Sequence, residues 1–561
     1  MVLVFGGTTE GRKAAEVLEE AGKVYYYSTK TGEQDITLHH GQRIDGALDG
    51  EAMQAFCREH GIRLIVDAAH PFAQVLHETI AKVSEMLHIP VVRYERIYPP
   101  RDPSIAWIED YTQVPRNIHT LLATTGVQSI SRLKPLEAQG VKVVYRILNR
   151  ESSIQLAHQQ GATDEQLCFY PQTVEAEAVL MKESGESGGF NEKIAEAKER
   201  GMRIIVLKRP ELVFKHCVTG PYGLRRAVEH LMPDFFPLKT GLTTGACATA
   251  AVKAALLSLL YEEQPEEVSF ALPDKEVMTI GVHIVGRGTA SVVKDHSDDP
   301  DVTRGCTITA SVRLTDTSDI RFLQGKGVGV VTLPGLGIPV GEPAINPTPR
   351  EMITTTIREL TDRGCDVTIS VEHGEELAKK TFNAKVGVVG GISIIGTSGI
   401  VSPLSNEAFI ESIRREMEVA RAIGCKEIGL VSGKNGEDAL RKDSDIRCVH
   451  YGNAIGEALK IAADLQFKKV TVAIMIGKAV KLAEGHLDTH SHKATMNREF
   501  LKQIAGPDAD KIDRITLARE LWGIMQPSFF TKIEQLCYKH CRREFPRGEL
   551  TIRLICDKQP S

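Results

Sequence analysis

The 561-residue sequence predicts an α/β and α+β multidomain protein. Three observations point there. Short β-branched runs alternate with helical segments through about the first 230 residues, the rhythm of parallel strands with helices on both faces. A stretch with two prolines and two phenylalanines, "HLMPDFFPLKTG", then breaks that rhythm. Beyond it β-rich segments come first, and strand–helix alternation returns only after about Glu407. The length exceeds one hydrophobic core and suggests roughly three to four domains.

In order, "MVLVFGG" reads as a strand entering a loop and Arg12 to Ala21 as a helix. "KVYYYST" is a second strand, "EAMQAFCREHG" a helix and "IRLIVDAAH" a buried third strand. A helix from Phe72 to Leu87 and the strand "IPVVRYE" follow, then "IHTLLATTG", "VKVVYRIL" and "MRIIVLKRP" beside further helical segments. Two parallel halves are expected over 1–235, with a junction near 125 and no internal repeat. The main boundary is placed at 232–238. The second part, 238–555, opens with a helix near Gly245 and continues through "EVMTIGVHIVGRGTASVVKD" and "CTITASVRL" as α+β structure to about 406. A smaller parallel α/β region follows, with "KEIGLVSGKNGEDALRK" and "KVTVAIMIGKAVKLAEG".

Composition is that of a globular protein, 42% hydrophobic and 25% charged, with a net charge of −5 and no basic run. Neither nucleic acid nor a membrane surface is indicated as partner. Eleven scattered cysteines without a CxxC fit reduced thiols in the cytoplasm. A strand starting at Val2 leaves no room for a signal peptide. The uncharged run Val386 to Asn406 holds five glycines and reads as strand plus loop rather than a membrane helix. A homo-oligomer is compatible with all of this.

Gly6, Gly7 and Gly11 lie between the first strand and first helix, with Thr8 among them. Glycines there permit a tight turn and close approach to a pyrophosphate, and the helix start supplies N–H donors. The spacing is G-G-x-x-x-G rather than G-x-G-x-x-G, so a glycine turn without ligand stays open. The second strand ends at Ser28, Thr29 and Lys30. Donors and a cation suit a 2′-phosphate, which favours NADPH over NADH, while a solvated loop lysine reads equally well.

"GGTTEGRKAA", "DAAHPFA", "IPVVRYER", "TTG" and "KESGESGGFNEKIAEAKERGMRIIVLKRP" occur in that order, and together they resemble the precorrin-6A reductase family. The resemblance implies two Rossmann-like halves, a substrate cleft between them, and reduction of a corrin double bond by a nicotinamide nucleotide. In that light Asp67 and His70 stand at the end of the third strand, facing the ligand crevice. His70 is a candidate proton relay, with a structural Asp–His turn as the alternative. Arg93, Arg96 and Arg101 suit the acetate and propionate arms of such a substrate. Ser184, Gly185 and Lys193 lie in a Gly/Ser-rich substrate or phosphate loop.

In "LKTGLTTGACATAAVKAALLSL", Gly241 and Gly245 bracket a turn, and Thr244 is the expected N-cap. It is not a P-loop, since three residues rather than four separate the glycines. "KDHSDDPDVTRG" crowds Asp295, Asp298, Asp299 and Asp301 into seven residues, for a metal, a cationic cofactor or base work, or simply as an acidic turn. Asn346 and Arg350 stand beside prolines, and Gly390, Gly391, Ser393, Gly396 and Thr397 form two turns. "GHLDTHSHKA" brings His486, Asp488, His490, Ser491 and His492 together without a matching distant ligand set, so no metal site is assigned. Cys537, His540 and Cys541 read as an ordinary helix.

"KTGLTTGACATAAVKAA", "KDHSDDPDVTRG", "GKGVGVVTLPGL", "GEPAINPTPREMI", "GGISIIGTSGIVSP" and "GKAVKLAEGHLDTHS" together resemble the cobalt-precorrin-5B C-1-methyltransferase family. His296-Ser297 stands where that family more often has Ala-Gly. The resemblance implies an S5-type α+β domain with a small parallel α/β domain, S-adenosylmethionine as methyl donor and cobalt-corrinoid substrates. On this basis Asp295, Asp298 and Asp299 are assigned to catalysis, and Gly390, Gly391, Ser393, Gly396 and Thr397 to the cofactor. Thr243, Thr244, Gly245, Asn346, Arg350, His490 and Ser491 are assigned to substrate, with the cofactor as the other candidate partner of Thr243–Gly245. The implied product of this part, cobalt-precorrin-6A, is the implied substrate of the first part. A tetrapyrrole carrier without chemistry, and a nucleotide-dependent reductase joined to a small-molecule kinase, are the rival readings.

Overall fold

The computed structural model describes residues 1–30, 34–403, 405–442, 444–491 and 494–556. It divides into two units, Met1–Leu238 with Asp274–Met278, and Lys239–Pro273 with Thr279–Ser561.

Unit 1 holds two six-stranded sheets, every strand parallel to its neighbours. The strands are β1 (Val2–Phe5), β2 (Tyr25–Thr29), β3 (Gly41–Asp45), β4 (Leu64–Asp67), β5 (Val91–Tyr94) and β6 (Ala106–Ile108), then β7 (Thr120–Ala123), β8 (Lys142–Ile147), β9 (Leu167–Phe169), β10 (Ala178–Lys182), β11 (Arg203–Leu207) and β12 (His216–Val218). One sheet runs β12-β5-β4-β1-β2-β3, the other β6-β11-β10-β7-β8-β9. These are the same order twice, with the edge strands exchanged. β6 follows β5 in the chain but pairs with β11, and β12 follows β11 but pairs with β5.

The repeat lies in topology and is invisible as sequence similarity. The junction is corrected accordingly. The chain leaves the first sheet after Tyr94, enters the second at Ala106 and returns at His216, so residue 125 falls inside the second half. The three-residue strands "AWI" and "HCV" are too short to show a period. The central strands are buried on both faces, as the near-continuous apolar runs "VLVF" and "LIVD" require. The first helix runs Thr9–Glu19 rather than Arg12–Ala21, because the Thr8 side chain accepts from Gly11 N–H and starts the turn early.

In unit 2 the helix Thr244–Leu260 is buried nearly all round, as its Ala-rich, low-polarity sequence dictates. It packs on the helix Pro347–Leu360 and on a mixed five-stranded sheet. That sheet runs His283–Gly286, Thr289–Val293, Thr307–Thr315, Gly364–Val371, Ile320–Gln324 in spatial order. The Gly/Pro-rich segments contribute two-residue ladders, Val330–Val331 with Val388–Val389 and Gly241–Leu242 with Ile400–Val401. From the helix Asn406–Ala422 onward the chain forms a four-stranded parallel sheet in the order Cys448–His450, Glu427–Val431, Lys469–Met475, Glu549–Ile555. Among the described residues no helix is long and apolar enough to cross a membrane.

Within unit 1, Glu276 is 1% exposed and accepts from the backbone N–H groups of Gly223 and Tyr222 at the start of the helix Pro221–Leu231. Burial pushes its carboxyl up to about 7, against those two hydrogen bonds and with Asp274 adding to the rise. The folded state then holds a proton that the unfolded chain releases. This contribution favours folding below the ordinary carboxylate range and is lost as pH rises through 7. The thermal transition of unit 1 is expected to fall between about pH 5 and 8, and Glu276→Gln to flatten that fall. Calorimetry across that range checks both.

Candidate active sites

In an open parallel sheet, ligands enter where strand order reverses. In the first sheet this is between β1 and β4. A Cβ on Gly6 would lie 2.2 Å from the Tyr27 ring, and one on Gly11 2.7 Å from Gly6 Cα, so both glycines serve close packing. Gly7 differs. Its φ is +85°, and a Cβ there would meet open space. Its N–H donates to Gln34 Oε1 at 3.1 Å, while Gln34 Nε2 donates to the Thr8 carbonyl at 2.8 Å. Gln34 had no signal in the sequence. The Ser28 carbonyl accepts from Gly6 N–H at 2.9 Å, and Lys30 is exposed at the strand end. An exposed glycine backbone at a helix start fits a nucleotide phosphate.

At the end of β4, Asp67 is fully buried. It meets His77 Nδ1 at 2.6 Å and Arg93 NH1 at 3.0 Å, and does not pair with His70. The alternative of a structural Asp67–His70 turn does not form: His77, one helix turn inside the next element, is the partner of Asp67, and its Nε2 meets the His70 carbonyl at 3.0 Å. Arg93, 1% exposed, is committed to Asp67 and Glu95 and lies too deep for a substrate carboxylate. These three side chains hold the loop that carries His70. His70 Nδ1 accepts from Phe72 N–H at 3.2 Å, so the hydrogen of the neutral ring sits on Nε2. Burial, then Arg96 and Lys182, pushes its pKa down to about 4. At neutral pH it is an uncharged N–H donor rather than an imidazolium relay.

Arg96 is also corrected. It is 7% exposed, with Nε on Glu10 at 2.9 Å and NH1 on the Ser184 carbonyl at 2.7 Å. Glu10 also accepts from the Ser187 hydroxyl. The pair ties the glycine loop of the first half to the Ser184–Gly188 loop of the second. Ser184 Oγ and Lys193 Nζ both donate to the Gly188 carbonyl, at 3.2 and 2.8 Å. Arg101 forks onto the buried Glu183 at 3.0 and 2.9 Å. The second sheet reverses between β7 and β10, where Thr124 N–H donates to the Leu180 carbonyl at 2.8 Å and Lys182 ends β10. Lys182 Nζ stands 5.0 Å from the Phe72 ring centroid and makes no hydrogen bond or ion pair among the described residues. Burial lowers its pKa, with Arg132 adding. Sequence reasoning missed Lys182, although a lysine closing the apolar run "AVLM" was the available signal.

In unit 2 the cap is Thr243, whose side chain accepts from Ala246 N–H, rather than Thr244. The Thr244 hydroxyl instead accepts from Ile395 N–H at 2.9 Å. Gly245 N–H donates to the Ile395 carbonyl and Thr243 N–H to the Gly399 carbonyl, each at 2.9 Å. A Cβ on Gly245 would strike Pro349 at 2.6 Å, one on Gly396 the Thr243 hydroxyl at 2.3 Å, and one on Gly391 the Gly327 carbonyl oxygen at 2.4 Å. The expected ligand cradle at Thr243–Gly245, Gly391 and Gly396 is therefore corrected. The chain's own backbone fills it. Ser393 lies in the same lock through its carbonyl, while Gly390 and Thr397 are exposed.

The acidic loop folds back on the same segment. Asp295 accepts from Leu242 N–H at 2.9 Å and Asp298 from Lys239 N–H at 2.7 Å. Asp301 pairs with the fully buried Lys294 at 2.8 Å, and Asp299 is half-buried. Ser297, 2% exposed, has no hydrogen-bond partner for its hydroxyl among the described residues. Asn346 donates its N–H to the Ile394 carbonyl at 3.0 Å. Arg350, assigned to substrate from the sequence, donates to the Ile345 and Pro343 carbonyls and pairs with Glu342. His490 and Ser491 are exposed, and His492 lies outside the described residues. Among the described residues no group of three or more His, Cys, Asp or Glu side chains gathers as a metal site.

Residues 233–403 match the family described as CbiD, and residues 1–229 the family described as Precorrin-6x reductase CbiJ/CobK. The Cobalt-precorrin-5B C(1)-methyltransferase of Prosthecochloris aestuarii is 42% identical over 345 residues, covering 57% of this chain and 94% of that protein. The chain belongs to the cobalt-precorrin-5B C(1)-methyltransferase family. Ahead of that methyltransferase region stands the precorrin-6x reductase region, so both matches fall on enzymes of cobalamin biosynthesis. Among solved structures, a cobalamin biosynthesis protein (cbiD) from Archaeoglobus fulgidus is 27% identical, covering 57% of this chain and 87% of that one, with a TM-score of 0.27. A CobK precorrin-6A reductase is 17% identical, covering 41% and 96%, with a TM-score of 0.33.

Gly391→Ala is expected to cost the methyltransferase region about 2–4 kcal/mol, since backbone must shift to admit the methyl. Gly390→Ala, at φ +85° with open space, is expected to cost only about 1 kcal/mol. Denaturant midpoints of the two variants check the ordering.

Proposed function

We propose that this chain performs two consecutive steps of corrin-ring construction. The methyltransferase region transfers a methyl group from S-adenosylmethionine to C-1 of cobalt-precorrin-5B. The reductase region then reduces the resulting cobalt-precorrin-6A to cobalt-precorrin-6B with NADPH or NADH. The observation that carries this reading is the adjacency of the two family matches, one on a precorrin-5B methyltransferase and one on a precorrin-6x reductase. Two unrelated resemblances would rarely fall on chemically consecutive substrates. Eleven cysteines, none bonded to another, support a cytoplasmic setting.

In the reductase region the Gly6–Gly11 loop would hold the nucleotide, with Gly7 leaving its backbone open and Ser28 and Lys30 near the ribose end. The nicotinamide supplies the hydride. Lys182 offers an unpaired ammonium at the second reversal point for a carboxylate arm of the substrate, or for the proton that accompanies the hydride. His70 contributes an Nε2–H donor in the same neighbourhood, its ring 5.9 Å from that of Phe72, over which Lys182 lies. In the methyltransferase region S-adenosylmethionine supplies the methyl group, and in-line placement matters more than acid–base help. Asp298, exposed in the acidic loop, is the carboxylate assigned to accept a ring proton, with Asp299 next to it in the chain.

Incubation of the full chain with cobalt-precorrin-5B, S-adenosylmethionine and NADPH, followed by mass spectrometry, tests both steps. A gain of one methyl and two hydrogens is expected. A methyl alone removes the reductase assignment, and no change together with calorimetric binding of neither cofactor leaves the carrier reading. Lys182→Met is expected to lower kcat/KM of the reduction about 100-fold while methylation is unchanged. An unaltered reduction rate removes Lys182 from the site.

A further inference from the structure

In the 390–397 turns Gly391 and Gly396 are crowded by the chain's own atoms, which leaves Gly390 and Thr397 as the exposed part of those turns. We propose that the adenosyl group of the methyl donor binds in the small parallel domain, against the Ser432–Glu437 loop between the ends of strands Glu427–Val431 and Lys469–Met475. This rests on the reading of the methyl donor as S-adenosylmethionine and adds where the chain holds it.

Four observations carry it. The strand order reverses at this point. From Glu427–Val431 the chain crosses to Cys448–His450 on one side and later to Lys469–Met475 on the other, which opens a crevice at their C-terminal ends. The loop leaving Val431 is "SGKNG". Gly433 is fully extended and a Cβ there would meet open space, while a Cβ on Gly436 would lie 3.4 Å from the Ala473 carbonyl oxygen. Helices Lys434–Arg441 and Ile476–Glu484 both start at this edge, neither with a side-chain cap. Tyr451 supplies the independent sign of a ligand. It is 0% exposed and its N–H donates to the Val431 carbonyl at 3.0 Å. Its hydroxyl has no partner in hydrogen-bond geometry among the described residues, and lies near Ser432, the first residue of that loop, and near Cys537 and Cys541 of the helix Pro527–Glu544. A buried hydroxyl left unpaired beside that loop is unusual unless something else completes it.

The chemistry of the rim favours an adenosyl amino acid over a polyphosphate. Glu437 sits in the first turn of the helix, where a phosphate would otherwise go, and is held by His450 Nε2 at 2.7 Å. A carboxylate there repels phosphate and suits a ribose diol or an ammonium. Asn453 accepts from Thr489 N–H at 3.0 Å, which brings the Leu487–Ser491 segment to the same edge. The histidine-rich motif then flanks the cofactor rather than a metal.

Hydrogen–deuterium exchange of the full-length wild type with S-adenosylhomocysteine tests the placement without any substitution. Protection of 432–437 and 451–453 is expected. Calorimetry supplies the second arm. Gly433→Leu fills open space in an unstrained position and is expected to weaken S-adenosylhomocysteine binding at least 10-fold at unchanged Tm. Thr397→Trp, on the exposed turn, is expected to leave it unchanged. Protection confined to 390–397, or loss of binding only in Thr397→Trp, overturns the placement and keeps the methyl-donor reading. Absence of binding to the wild type overturns both.

Discussion

A parallel sheet covered on both faces offers its backbone to a ligand only at its strand ends, and chiefly where neighbouring connections diverge. That constraint recurs three times here, at β1/β4, at β7/β10 and between Glu427–Val431 and Lys469–Met475. Each reversal carries residues whose state is hard to explain by packing. At the first it is Gly7, at φ +85° with open space where a Cβ would stand. At the second it is the unpaired Lys182, and at the third the unpaired Tyr451 hydroxyl beside the open Gly433.

The arginines show how burial decides between ligand and scaffold. Arg93 and Arg96 are 1% and 7% exposed and each meets a carboxylate at about 3 Å. Removing one partner of such a buried pair costs about 3–5 kcal/mol, because the other charge is left desolvated. An exposed pair is worth about 0–1 kcal/mol. A loss of activity on substituting Arg96 would therefore report a loosened Glu10–Ser187 clasp before it reported a lost substrate contact.

Much of the architecture was legible in the sequence, because apolar runs such as "VLVF" and "IRLIV" can only be strands buried on both sides, and because the Pro/Phe break marks a change of rhythm. The exchange of β6 and β12 was not legible. Three-residue strands carry no periodicity, and their partners are set by contacts about a hundred residues away in sequence. The helix start at Thr243 rather than Thr244 was decided by Ile395, whose N–H captures the Thr244 hydroxyl. At the candidate sites, residue type pointed to the right neighbourhoods. It could not say which charges were already paired, so Glu10, His77 and Glu183 were missed, and the pairing of Arg350 with Glu342 was not foreseen.

The two glycine-rich openings, "VFGGTTEG" and "KTGLTTGA", look alike because glycine marks close backbone approach whatever approaches. In the first, Gly6 and Gly11 are filled by Tyr27 and by each other, which leaves Gly7 as the one glycine facing open space. In the second, Pro349 and the Ile395 carbonyl crowd Gly245, and Thr243 crowds Gly396 from the facing loop. The helix Thr244–Leu260 is buried nearly all round, so its amino end needs acceptors from within the fold, and the 393–399 loop supplies them. A helix start of that kind is a fastening point. The helix Lys434–Arg441 differs: it starts without a side-chain cap and with Lys434 and Asn435 exposed, so the N–H groups of its first turn are open to a ligand.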